Sequence, residues 1–372
     1  MAEIEKGLPN EPDLKVEDVA VDTVVEDIKE EPKEIEVMET ADGGAEISFD
    51  PNAVEPVSSS HDQNLAELLD DTILDPLGAK LVDDYKDYRS SRKDWEDCYR
   101  NGLDLLGFKY ERRTEPFKGA SGVTHPVLSE AVTQFQAQAY KELLPSDGPV
   151  RTQILGAQTP AKQDQANRIK DFMNYQIMDQ MKEYEPEFDQ MLFYLPLSGS
   201  TFKKVYYDDL LGRAVSKFIP ADDLVVPYSA TSLDDAEAVV HVIKMSENDL
   251  RKQQVSGFYR DIELSDPAME TDDITKKEQE IEGVKQTKQS DIYTLLECHV
   301  NLDLEGFEDK NMEGEDTGIK LPYVVTVEEG SRKVLSIRRN YKENDTRKAK
   351  QNYFVHFKFL PGLGFYGFGL TH

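Results

Sequence analysis

Residues 64–372 are predicted to adopt an α+β fold, on three observations. Apolar residues recur at helical spacing through much of 64–198. Beyond residue 200, β-rich runs separated by turn residues take over. A different material precedes both. Residues 1–63 carry 19 acidic and 4 basic side chains, a net of −15, and a single aromatic, Phe49. Half of the chain's formal charge of −30 thus lies in about a sixth of its 372 residues.

The acidic stretch is punctuated by Pro9, Pro12, Pro32, Pro51 and Pro56. It cannot bury enough apolar area to offset its ordering entropy, so it is expected to be a disordered arm, either a solvated tail or a binding segment. The whole chain is 38% hydrophobic and 31% charged, and is long enough for one large or two ordinary domains. Its charge opposes non-specific binding to nucleic acid or anionic lipid while leaving room for a local basic site. No run approaches the ~18 apolar residues that span a bilayer, and "MAEIEKGLPNEPDL" lacks the basic start and apolar core of a signal peptide. Cys98 and Cys298 are too far apart in sequence to suggest a framework, so both thiols are expected to be free in a soluble protein of a reducing cytosol.

The helical half begins with Leu65, Leu68 and Leu69, then Leu77, Leu81, Tyr85 and Tyr88. Pro76 and Gly78 are expected to break it into two pieces. Trp95, Tyr99 and Leu103 extend the stripe, and Cys98 beside them reads as a packed core thiol. Gly119 to Gly122 form a small-residue turn, after which Thr124 can cap and Pro126 suits the first turn of a helix. That helix carries Val127, Ala131, Phe135, Ala139 and Leu143 on one face and ends before Pro145. A phosphate cradle at this turn would need G-x-x-x-x-G-K-[ST], which occurs nowhere in the chain. Thr159 and Pro160 open another helix, whose Ile169, Met173, Ile177 and Met181 are expected to fill the core. Pro186 starts a further one.

"TFKKVYYDD" and "RAVSKFIP", joined by Leu210, Leu211 and Gly212, predict a hairpin. A strand and loop, the strand "AVVHVIKM" and a helix follow. Ser246 with Asp249 approximates a capping box for that helix, and Gly257 ends it. His241, in an apolar strand, reads as a satisfied histidine rather than a catalytic one. Residues 261–290 are a connector or a solvated helix of mixed charge. β character returns in "DIYTLLECHVNLDLEG" and in "LPYVVTVEEGSRKVLSIRRNY", where Glu328–Gly330 predicts a hairpin turn. The final run, "NYFVHFKFLPGLGFYGFGLTH", leads from a strand into glycines.

Gly362, Gly364 and Gly367 spell G-x-G-x-x-G, the fingerprint of a dinucleotide-binding turn. The fingerprint needs a following helix and an acidic residue about 20 positions on; only Phe368 to His372 follow. The glycines, interleaved with Phe365, Tyr366 and Phe368, are instead expected to form a close-packed backbone passage lined by aromatics, in a chain that continues beyond His372. The six histidines form no H-E-x-x-H or C-x-x-C pairing, no G-x-S-x-G elbow occurs, and no cofactor or catalytic residue is expected. One basic cluster stands out in so acidic a chain: Arg332, Lys333, Arg338, Arg339, Lys342, Arg347, Lys348 and Lys350. It either meets phosphate or an acidic partner, or is a solvated hairpin face compensating nearby acids.

The blocks "PFKGASGVTHPVLSEAVTQFQAQAYKELLPSDGPV", "YLPLSGSTFKKVYYD", "FIPADDLVVPYSA", "HVIKMSENDLRKQQVSGFY", "LPYVVTVEEGSRKVLSIRRNY" and "FVHFKFLPGLGFYGFGLTH" occur in that order. Together they resemble the portal protein, or head-to-tail connector, of tailed double-stranded-DNA bacteriophages, in the short-tailed-phage version. The resemblance covers roughly residues 64–372 and leaves out the acidic arm. It implies a ring of identical copies, expected to be a dodecamer, at the capsid vertex of a virion assembled in the host bacterial cytoplasm. It implies as partners the terminase large subunit, which supplies the ATP hydrolysis, the major capsid or scaffold protein, tail adaptor proteins, and double-stranded DNA passing non-specifically; it implies no membrane and no enzyme activity of its own. By resemblance, 64–289 is a helical wing with inserted β-hairpins, 290–345 a β-rich clip-side region, and 346–372 a strand and the start of a stem helix that the sequence stops short of. The basic hairpin would then lie where terminase or an adaptor docks. Another virion structural or assembly protein, and a nucleotide-binding enzyme built on the glycine turn, are the alternatives.

Overall fold

The computed structural model describes residues 37–39, 45–47, 61–107, 117–122, 125–208, 211–267, 272–284, 292–310 and 315–372. The chain divides into two units, 1–58 and 59–372. In the first, Val37–Glu39 (β1) and Ala45–Ile47 (β2) pair antiparallel. The rest of the acidic arm, through residue 60, lies outside the described residues, as does Thr124, the expected cap.

The second unit is a mixed α+β structure built around two antiparallel sheets. The larger has five strands in the order β5 (Leu224–Val225), β6 (Ala238–Ser246), β7 (Ile292–Leu302), β8 (Leu321–Glu328) and β9 (Val334–Arg339). β6 and β7 pair from Ala238↔Val300 to Ser246↔Ile292, so one sheet straddles residue 290. Strand alternation sorts its side chains. Leu296, Cys298, Tyr323, Val325 and Val327 pack with Leu74, Leu81, Val82 and Tyr85 of helix α1 (Asp71–Ser91). Leu295 and Leu335 pack instead with Leu250 of helix α6 (Glu247–Val255) and with Tyr259. The smaller sheet has the order β10 (Phe354–Lys358), β3 (Ser200–Asp208), β4 (Arg213–Pro220).

The remaining helices are α2 (Lys93–Leu103), α3 (Val127–Leu143), α4 (Pro160–Tyr175), α5 (Tyr184–Ser198) and α7 (Asp273–Glu282). A single π-turn, Gln176–Gln180, follows α4. α5 and α3 share a small core of Phe188, Met191 and Leu192 with Phe135 and Ala139. The Ser246 hydroxyl accepts the Asp249 amide at 3.2 Å and starts α6 as its sequence predicts. The two hairpins, β3–β4 and β8–β9, are also where the sequence puts them.

Three expectations are corrected. α1 runs unbroken through Pro76 and Gly78. Pro76, the sixth residue of the helix, removes one intrahelical hydrogen bond, to the Thr72 carbonyl, without ending it. Gly78 serves a close approach, since a Cβ there would sit 2.2 Å from the Arg332 carbonyl oxygen. Cys98 is exposed. The buried side of α2 is Tyr99 and Leu103, and Cys98, one residue before Tyr99, lies about 100° round the helix. Finally, α4 buries no residue at all. Of the expected stripe, Ile169 and Met173 face outward at 45% and 42% exposure, with Phe172 at 58% beside them, whereas Ile177 and Met181, in and just after the π-turn, are half-buried.

The C-terminal run is not helical. Leu360 and Phe368 form a two-way backbone bridge, at 3.2 and 2.9 Å, that closes the glycine loop. The loop packs on the end of α5. A Cβ on Gly367 would lie 2.5 Å from the Gly199 carbonyl oxygen, and one on Gly369 would lie 2.1 Å from that of Leu197. Phe365 stacks on Phe202 and His356, and Tyr366 on Trp95. The close-packed aromatic passage expected from the sequence is therefore what forms.

Candidate functional site

The basic cluster separates into two halves. In the first, the hairpin turn places Arg332 3.2 Å from Asp83 and Lys333 2.8 Å from Asp75, both on α1. The buried Glu328 carboxylate accepts the Gly330 and Ser331 amides and fixes that turn. On β9, Arg338 donates to the carbonyls of Asp62 (2.6 Å) and Phe258 (3.2 Å) and lies over the Phe258 ring. Arg339 donates to the His61 carbonyl at 3.0 Å and lies over Phe307. These four cations compensate acids or hold backbone.

Asn64 completes this arrangement. Its side chain donates to the Leu335 carbonyl at 3.1 Å and accepts the Ile337 amide at 2.9 Å. It thereby pairs the edge of β9, whose amides would otherwise lack partners. The same oxygen also accepts the Ala66 amide at 3.1 Å.

The second half lies on the loop after β9. Lys342 and Arg347 are exposed and form no ion pair among the described residues. Lys348, with φ +47°, pairs with Asp309. Lys350 is partly buried; its Nζ reaches only the Ala236 carbonyl, at 3.4 Å, and burial pushes its pKa down. Arg347, Lys348 and Lys350 border an open cleft of about 350 Å³. The structure thus brings these three together and separates them in role from the hairpin cations.

Two buried charge centres were not legible in the sequence. Glu297 of β7 accepts Lys204 Nζ at 2.6 Å on both carboxylate oxygens and lies 2.8 Å from His299 Nε2. His241 Nδ1 stands at 3.9 Å, beyond hydrogen-bond reach. Burial alone would raise the Glu297 pKa; Lys204 and the two imidazoles outweigh it and hold the carboxyl well below its ordinary value. Burial in turn keeps both imidazoles below theirs. Because Lys204 is on β3, this cluster ties the two sheets together. Its signal was a lone carboxylate inside the apolar run "TLLECHV".

The second centre is Arg92, between α1 and α2. Its guanidinium donates to the carbonyls of Ala221 and Leu224, to the Tyr366 hydroxyl (each 2.8 Å) and to Glu96 (2.8 Å). It stacks near Trp95 and Tyr366. It fastens the C-terminal passage to the 221–224 turn.

Among the described residues no group of three or more His, Cys, Asp or Glu is placed to hold a metal ion. No helix there is long and apolar enough to cross a membrane. At the glycine fingerprint, the Gly367 amide already donates to Ser200 Oγ at 2.7 Å. No protein-family model and no curated protein matches this chain.

Proposed function

We propose that the chain is a portal-like ring subunit, a structural conduit for double-stranded DNA at a virion capsid vertex. The observation that carries this reading is the outward apolar stripe of α4, where Ile169, Phe172 and Met173 are exposed on a helix that buries no residue within the subunit. Contiguous exposed apolar side chains at helical spacing mark an interaction surface. A ring of identical copies needs a heterologous contact that closes on itself. The order and spacing of the six sequence blocks give the kind of ring. The charge of −30 suits a channel that confines DNA without gripping it, since phosphate affinity comes chiefly from Lys and Arg contacts.

In this reading, residues 64–289 serve as the wing, 290–345 as the clip side, and 346–372 lead toward the stem. The ring receives the terminase large subunit during packaging, joins the capsid or scaffold protein, and afterwards takes tail adaptors. The packed glycine passage weighs against a nucleotide enzyme built on that turn, because Gly367 and Gly369 abut backbone where a pyrophosphate would approach.

The test is the assembly state of the natural gene product. Negative-stain microscopy and mass measurement should give a closed ring with a central hole. Ile169→Asp combined with Phe172→Asp should give a folded species that no longer assembles, because neither side chain is buried within the subunit. A wild-type product that stays monomeric, or forms open fibres, overturns the reading.

A further inference from the structure

The cleft beside the 342–350 loop has features that the hairpin cations lack. Lys320 enters it from the start of β8, facing Arg347, Lys348 and Lys350, with Asn301 at its border. Asp309 is the one carboxylate on its wall, and it is already occupied. It pairs with Lys348 and accepts the Thr317 hydroxyl at 2.7 Å, and these partners hold its pKa down. Lys320 and Arg347 reach no carboxylate within 4 Å among the described residues, and neither does Lys350. Three cations that form no ion pair among the described residues therefore border one concavity in a chain of net charge −30.

The walls are built rather than loose. The Asp345 carboxylate accepts the Arg347 amide at 3.0 Å and the Ala349 amide at 2.9 Å. The Gln351 amide donates to the Asn340 carbonyl at 3.0 Å. Lys348 is held in the left-handed region at φ +47°, a conformation that costs a non-glycine residue energy and persists only where the surroundings impose it. Lys350 is partly buried with a single long hydrogen bond, and its burial outweighs the attraction of Asp234, which forms no ion pair with it.

We propose that this cleft binds a small anion carrying two or more phosphate groups, held by Lys320, Arg347 and Lys350. The Arg347 guanidinium supplies a planar fork for phosphate oxygens, and the two ammonium groups supply point charges. The volume, about 350 Å³, accommodates a compact ligand. A long polyanion would have to lay its remaining phosphates across the acidic surface outside. A free oligophosphate keeps its charge within a screening length of the three cations, roughly 8–10 Å at physiological salt. The site is distinct from the glycine turn at 362–367 and does not depend on the ring reading.

Isothermal titration calorimetry on the full chain, at an ionic strength of roughly 0.1 M, tests this with three probes: inorganic tripolyphosphate, citrate and a random-sequence DNA duplex. Tripolyphosphate should bind at one saturable site. Lys320→Glu with Arg347→Glu should weaken it by about tenfold or more while leaving the melting temperature unchanged, as both side chains are exposed. Arg347→Lys should weaken binding less than the double reversal, because it keeps the charge and loses the fork. The proposal is overturned if tripolyphosphate shows no saturable binding, or if the double variant binds as the wild type does. Citrate binding equally well would reduce the cleft to a non-selective anion patch and also overturn it. A duplex binding more tightly, and losing that binding in the double variant, would reassign the cleft to nucleic-acid backbone.

Discussion

In the β8–β9 hairpin, Arg332, Lys333, Arg338 and Arg339 each end on a carboxylate or a backbone carbonyl. In the loop that follows, Lys342 and Arg347 end in solvent and Lys350 on one long hydrogen bond. The two stretches are adjacent in sequence and alike in composition. The difference teaches that a run of cations reports local charge but not its use. In the hairpin the positive charge is consumed inside the fold; in the loop it is left for something else.

The sharpest way to break this contrast is at the hairpin's edge. Asn64→Ala removes the acceptor of two buried amides, Ile337 on β9 and Ala66, while the Leu335 carbonyl keeps the Arg260 amide at 2.8 Å. Each orphaned group costs about 1–3 kcal/mol, so denaturant unfolding should show a loss of about 2–4 kcal/mol. A loss below ~0.5 kcal/mol would mean that water replaces Asn64 without penalty and that the β9 edge is not held there.

Next in size is a paired charge reversal. Arg338→Glu with Arg339→Glu removes donors to the 61–62 and 258 carbonyls and sets carboxylates against them. The expected loss is about 1–3 kcal/mol, the range for charge-assisted hydrogen bonds at partly exposed sites. Lys320→Glu with Arg347→Glu should stay within about 0.5 kcal/mol of wild type, as surface substitutions without partners do. Equal losses from the two pairs would erase the distinction. Charge reversal at Arg338 and Arg339 also bears on the docking expected there: a folded variant that still engages the packaging motor would count against the hairpin as its contact.

What was legible in the sequence was local. The β3–β4 turn at Gly212, the Ser246 cap and the hairpin at Glu328–Gly330 are each set by residues within a few positions of one another, and each forms. The glycine passage was also legible, because its glycines alternate with Phe365, Tyr366 and Phe368 within a few positions. The misses were non-local. Arg339 finds its carbonyl 278 residues away, and Lys204 finds Glu297 across 93. The α1 and α4 stripes have the same helical period, yet one packs on a sheet and the other faces outward. Periodicity states that a face is apolar and is silent on what covers it. Of the eight cations named from sequence, the local pattern could not divide the hairpin four and Lys348 from Lys342, Arg347 and Lys350, because the dividing facts are carbonyls at 61, 62 and 258, carboxylates on α1 and Asp309.

The smallest expected effect lies at Lys350, and its sign can be worked out. Burial lowers the native pKa of this ammonium from the ordinary lysine value. Between the lowered pKa and that ordinary value the unfolded chain binds the proton more tightly than the native one does, so stability rises with pH across that window and the penalty is present in full below it. Lys350→Met keeps most of the aliphatic stem and removes the charge. At pH 7 it should therefore be neutral to stabilising, by no more than about 0.5 kcal/mol. The gain should shrink as pH climbs toward 10.5, where the native lysine has already shed its proton. A bound phosphate anion would supply a nearer counter-charge than Asp234, so saturating tripolyphosphate should reverse the order and make the wild type the more stable protein at pH 7. Thermal melts of the two proteins at pH 7 and pH 10, with and without tripolyphosphate, read all of this out. A destabilised Met variant in plain buffer at pH 7 would show that Lys350 is already satisfied within the fold and belongs with the hairpin cations.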